Sequence, residues 1–209
     1  MDDNGLSTSA DPGHPTGVGA LRKLQPMTAS AFLDWDNDDR SGRRWQLRDG
    51  QPEAMAPASR THGAIQAELA RLIGNHLLAA GRPCQVVIKP GIVPLVRRAE
   101  NIRIPDLTVT RASPDSERLL ADPVLVVEIL SRSTADRTWA NIWAYASIPS
   151  VAEILVVSAT ERRVELLRRG TNGNWPGEPA MIGPGETLDL ASIGMTVMLD
   201  GLYRTTALA

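Results

Sequence analysis

Residues 123–130 read Pro-Val-Leu-Val-Val-Glu-Ile-Leu, an almost unbroken apolar run of strand length with one carboxylate inside it. A run without polar alternation fits a strand covered on both faces, so the rest of the chain must supply layers on each side of a central sheet. Glu128 is the anomaly in that strand. An ionised carboxylate left unpaired there costs several kcal/mol, so it requires a cation, an arginine or a proton. Alternation by two places Glu128 on the face of Val126 and Leu130. Asp106, at the head of Leu107-Thr108-Val109, meets it if the two segments are neighbouring strands, and the loop through Pro114 and Pro123 is long enough for that. Two carboxylates brought together repel, and a divalent cation between them removes the repulsion. Oxygen ligands favour Mg²⁺ or Mn²⁺ over zinc. Spacing alone leaves two plainer roles open: an Asp after Pro is often a turn former, and a strand Glu is often the ion-pair partner of an Arg.

A chain of 209 residues with 43% hydrophobic content supports one well-buried core rather than two full-sized domains. Residues 1–25 are rich in Gly, Pro, Ser, Thr and Asp and read as a flexible N-terminal tail, leaving 26–209 as the folded domain. Within it, Thr28 caps a short helix through Phe32, Leu33 and Trp35, followed by a polar loop from Asp36 to Gly42. Trp45 to Arg48, the turn Asp49-Gly50 and a return through Glu53 to Met55 make a hairpin. Ile65, Leu69, Leu72, Ile73 and Leu77 recur at helical spacing between Thr61 and Ala80, closed by Gly81. Strands are predicted at Gln85–Ile88, Ile92–Val96, Leu107–Val109, Val124–Leu130 and Ile154–Val157. A helix over Ala135–Ala146, capped by Ser133 with Asp136, precedes the last of these. Its buried stripe is read as Trp139, Ile142, Trp143 and Ala146, with Arg137, Asn141 and Tyr145 on another face. The segment Arg163–Arg168 adds a hairpin strand, and Leu188 and Met195–Leu199 supply late strands. The order of elements predicts an α/β (α+β) domain with a mixed central β-sheet flanked by helices, and no glycine-rich phosphate loop follows any strand.

Composition narrows the classes further. The single Cys84 excludes an internal disulfide framework and a cysteine zinc cage, consistent with a reducing compartment. No apolar run reaches membrane-spanning length and the N-terminus lacks a leader pattern, so the expectation is a cytoplasmic protein without a membrane partner. A net charge of −2 gives no global attraction to nucleic acid, so any such contact must come from a local basic patch. Arg97, Arg98 and Arg103, just before Asp106, are candidates for steering a phosphodiester backbone. His62, at a helix start, could contact phosphate, although a capping or packing role suffices; His76, near the helix end, is read as structural. The only lysines are Lys23 and Lys89.

Several motifs, in consistent order from Met27 to Arg169, resemble the Uma family of restriction endonucleases. They are Met27-Thr28 with Phe32-Leu33-Trp35, Leu47-Arg48-Asp49-Gly50, His62-Gly63 with Ile65 and Leu69, Ile104-Pro105-Asp106-Leu107, Val127-Glu128-Ile129-Leu130-Ser131, Tyr145 and Ile148-Pro149-Ser150-Val151. The resemblance implies a restriction-endonuclease-like fold of the PD-(D/E)XK nuclease superfamily. It implies a Mg²⁺- or Mn²⁺-dependent endonuclease hydrolysing DNA phosphodiester bonds, with Asp106, Glu128 and the backbone carbonyl of Ile129 as metal ligands and Glu68 as an additional acid. DNA and a second copy of the chain are the expected partners. Family members carry a lysine one turn before the tyrosine, and that position is Asn141 here. A neutral amide cannot supply the charge of an ammonium, so Arg137 is the candidate substitute. The alternative is a nuclease-fold protein with impaired catalysis that acts as a binding or regulatory module.

Overall fold

The computed structural model describes residues 26–38, 42–113, 118–131 and 135–209, with backbone alone at 37–38 and 135–138. The expected N-terminal tail and the Ser133 cap lie outside the described residues. In chain order the elements are α1 (Ala29–Asp38), β1 (Trp45–Arg48), β2 (Gln51–Ala54), α2 (Arg60–Ala79), β3 (Gln85–Ile88), β4 (Leu107–Thr110), β5 (Pro123–Leu130), α3 (Ala135–Ala146), β6 (Glu153–Ser158), β7 (Val164–Arg168), β8 (Ala180–Ile182), β9 (Thr187–Leu190) and β10 (Met195–Met198).

Six strands form one mixed sheet in the order β3-β4-β5-β6-β7-β8. All neighbours pair antiparallel except β5 and β6, which run parallel because α3 carries the chain from one to the other. The apolar run of β5 lies at the centre and is buried from Pro123 to Ile129, as continuous hydrophobicity requires. On one face α2 packs Ile65, Leu69, Ile73 and Leu77 against Leu107, Val109, Leu125 and Val127, and the β9–β10 hairpin adds Leu188, Leu190 and Met195. On the other face Ile142 and Tyr145 of α3 cover Val126, Ile154 and Val156. A smaller cluster joins Phe32 of α1 to Leu47 and Ile102 beside the β1–β2 hairpin.

The local signals explain the boundaries. Thr28 Oγ1 accepts from the Ala31 N–H at 3.2 Å, starting α1. Ser59 Oγ accepts from the His62 N–H at 3.2 Å, starting α2, and Gly81 with φ +59 ends it. Asp49 (φ +47) and Gly50 (φ +77) both have positive φ, the geometry that closes a two-residue hairpin.

Two expectations need correction, and one strand goes unforeseen. Ile92–Val96 is not a strand: Ile92 makes one isolated bridge to Arg103, and Pro94 cannot donate to a ladder. β8 adds an edge strand that the sequence pattern does not signal, because three residues after a Gly/Pro loop carry too little alternation. On α3, Trp143 is 55% exposed while Tyr145 and Asn141 are buried. The inward face of this helix is partly polar because it closes over a polar site, which hydrophobic periodicity cannot register.

Candidate active site

β4 and β5 pair with Leu107 opposite Val127, so Asp106 and Glu128 project from neighbouring strands at one end of the sheet. Period-two alternation sends both side chains to the α3 face, with Thr108 and Val126. The two residues line one pocket of about 230 Å³, together with Gln46, Arg48, His62, Lys89, Ile104, Ile129, Ser131 and Asn141.

Both carboxylate oxygens of Asp106 are engaged. Its Oδ2 accepts from the Ile129 N–H at 2.8 Å, and its Oδ1 lies 3.1 Å from Lys89 Nζ and 3.0 Å from His62 Nε2. Its backbone carbonyl accepts from Gln66 Nε2 at 2.5 Å and from the Lys89 N–H at 3.1 Å. Burial works to raise the Asp106 pKa, but the hydrogen bond and charge of His62, the Ile129 N–H and the Lys89 charge outweigh it and hold the carboxyl below its ordinary value.

Glu128 has the opposite fate. Burial, and next the negative charge of Asp106, push its pKa up to about 8, against the hydrogen bonds from Tyr145 and Asn141 and the charge of Lys89. Tyr145, fully buried, donates its hydroxyl to Glu128 Oε1 at 2.6 Å. Burial and the Glu128 charge raise the Tyr145 pKa well above its usual value, so the phenol stays a donor. Asn141 Oδ1 accepts from Arg48 Nη2 at 3.1 Å, and Arg48 Nε lies 3.1 Å from Glu53 Oε2.

The acid pair read from β5 and the Pro-Asp dipeptide is therefore brought together, with Ile129 between them through its N–H and Asn141 on the pocket wall. Glu68 does not join them. Its carboxylate is committed to Arg71 at 2.7 Å and Arg204 at 2.6 Å, and the Arg71 hydrogen bond holds its pKa low against burial. The expected additional acid is thus an ion-paired helix residue outside the pocket. The Arg137 side chain lies outside the described residues. Arg97, Arg98 and Arg103 do not form one surface: Arg97 and Arg98 are exposed, Arg97 pairing with Asp49 and Glu100, whereas Arg103 is only 4% exposed. His76 meets the Ile193 carbonyl at 3.0 Å, a structural contact.

Two members of the site were not assigned from sequence. Lys89 enters from the end of β3, where Ile88 pairs with Leu107 and the next residue falls beside Asp106. Its backbone is in the left-handed region (φ +50), an unusual conformation for a lysine. The one available signal was that Lys89 is the only lysine within the predicted domain; its partner strand was needed to use it. Arg48 arrives on β1, whose return strand supplies Glu53. His62 fills the capping role, its N–H donating to Ser59 Oγ, and its ring reaches Asp106, a contact the sequence did not signal.

Comparison with known proteins agrees with this architecture. An uncharacterized protein of Synechocystis sp. is 31% identical over 188 residues, covering 88% of this chain and 94% of its own. The crystal structure of a putative nuclease belonging to DUF820, from Anabaena variabilis, superposes with a TM-score of 0.67 at 16% identity, over 86% of this chain and 98% of its own, and this shows a shared fold. The Uma2 family model, described as putative restriction endonuclease, matches residues 29–198, and the chain belongs to that family.

Proposed function

We propose that this protein is a divalent-metal-dependent nuclease that hydrolyses DNA phosphodiester bonds at the Asp106–Glu128 pocket. The observation that carries the reading is the pair of buried carboxylates on adjacent strands, facing one pocket to which Lys89 and Arg48 bring positive charge and His62, Gln46, Ser131 and Asn141 bring neutral or titratable polar groups. The donor set fits Mg²⁺ or Mn²⁺. Glu128 is driven towards its protonated form partly by Asp106, a repulsion that a hard cation held by the two carboxylates would relieve. Among the described residues no three His, Cys, Asp or Glu side chains could enclose a metal, so other positions would fall to backbone carbonyl and water, as Mg²⁺ favours. The Ile129 carbonyl leaves the strand on the same edge as the N–H that holds Asp106, and suits that role.

A cation held there supplies Lewis-acid polarisation of a phosphoryl oxygen and makes nearby water more acidic. The protein's own groups do the rest. Ile129 N–H fixes Asp106 and Tyr145 fixes Glu128, so neither acid reorganises when substrate enters. Lys89 and Arg48 place positive charge on the pocket wall against that of the phosphodiester. Attack of water on phosphorus forms one P–O bond and breaks another, leaving a phosphomonoester and a free hydroxyl. Tight holding of the Asn141 amide by Arg48 supports the view that the helix position contributes through an arginine rather than a lysine.

The test is nicking of supercoiled plasmid in Mg²⁺ or Mn²⁺, compared with Asp106→Ala and Glu128→Ala. Cleavage lost in both variants and in chelator is the expected result. A wild-type rate no higher than that of Asp106→Ala would reject the nuclease reading and favour a binding or regulatory module on the same fold.

A further inference from the structure

We propose that Lys89 is a two-position cation: its ammonium occupies Asp106 Oδ1 while the metal position is empty, and leaves for the pocket when a divalent cation takes that oxygen. The inference rests on the metal-site reading above and concerns what competes for the site.

Three observations lead to it. First, Lys89 Nζ and His62 Nε2 both sit on the same oxygen, at 3.1 and 3.0 Å, while Oδ2 is committed to the Ile129 N–H. Oδ1 is therefore the oxygen whose contacts are side chains able to give way to an incoming cation, and the Lys89 ammonium already stands on it. Second, the Lys89 backbone is anchored independently of its head group. Its N–H donates to the Asp106 carbonyl at 3.1 Å and its own carbonyl accepts from Arg44 Nη1 at 3.3 Å, holding the left-handed conformation (φ +50) in place. The four-carbon stem can swing without disturbing the strand end. Third, the side chain keeps 19% exposure and borders both the active pocket and an adjoining groove lined by Arg43, Arg44 and residues 54–58. The displaced ammonium thus has a place to go, in a groove that already carries Arg43 and Arg44. Of the other cations in the pocket wall, Arg48 is tied to Glu53 and Asn141. A lysine ammonium is a compact charge on a flexible stem, suited to exchange in a way a forked guanidinium is not.

Displacing a cation costs binding energy, so removing it should tighten metal binding. Mn²⁺ titration by calorimetry on the intact chain should show Lys89→Met binding about tenfold tighter than wild type, the size of a one-charge repulsion at a partly screened site, while plasmid cleavage falls. Asp106→Asn should abolish the heat. The chain has two lysines, so isotopically labelled lysine gives two head-group signals by NMR. The one absent from Lys89→Met should move on adding Mg²⁺ in the wild type and stay fixed in Asp106→Asn. Metal affinity unchanged or weaker in Lys89→Met, or a Lys89 signal indifferent to Mg²⁺ that demonstrably binds, would overturn the proposal and leave the metal site standing. No heat from wild type and Lys89→Met alike would overturn both.

Discussion

Glu128 is the residue whose environment has the clearest thermodynamic consequence. Its pKa rises from an ordinary 4.5 to about 8 in the folded protein, burial being the larger cause and Asp106 the next. The native state therefore binds a proton that the unfolded chain releases, and stability falls as pH rises from about 4.5 towards 8. Above that window the loss is complete. Without added metal, Glu128→Gln should flatten this decline and melt higher than wild type at pH 8, by roughly 5 °C for a domain of this size. A thermal melt series across the window reads this out; parallel curves for the two proteins would mean the carboxyl is ionised throughout. Asp106, held low by His62, Ile129 and Lys89, acts with the opposite sign, its contribution present above its ordinary value and lost only in acid.

At the scale of elements, the site depends on parts that bring polar groups inward. The β1–β2 hairpin delivers Arg48 to Asn141 of α3, and its turn needs glycine at position 50: φ is +77, and an added Cβ would overlap Pro26. Gly50→Ala should cost about 1–3 kcal/mol in urea unfolding, because both strain and overlap resist relaxation. Stability within a few tenths of wild type would show that residue 26 yields easily. The α2 N-terminus, capped by Ser59, carries His62 to Asp106, so one helix supplies a core stripe and a site residue from the same turn spacing. α3 is the element least legible in sequence. Its hydrophobic pattern points Trp143 inward, whereas the helix turns Asn141 and Tyr145 to the buried carboxylate and leaves Trp143 exposed.

For the molecule as a whole, a net charge of −2 means that any attraction to DNA, as the proposed function requires, must be local. The groove beside the pocket carries Arg43 and Arg44, which follow on from Lys89 along one path. Replacing Arg44 by Ala should weaken binding to a duplex uniformly across sequences and lower the salt slope by about 0.9 for each phosphate no longer neutralised. A slope unchanged in filter-binding or anisotropy titrations would show that this groove does not neutralise phosphate. Among the described residues no helix is long and apolar enough to cross a membrane.

The covered central strand, its buried acid, the Pro-Asp head of the neighbouring strand, α2 with its cap and the hairpin turn all follow from patterns within a few residues, because periodicity and turn chemistry are local. The company those acids keep is not local. Lys89 lies 17 residues from Asp106 and Arg48 lies 93 from Asn141, and they meet only through strand pairing and the packing of α3. Sequence could show that Glu128 needed a partner, since burial of charge must be answered somewhere. Register and helix rotation, set by the whole core at once, decided that Glu128 meets a phenol and an amide from α3, while the lysine after β3 goes to the neighbouring Asp106.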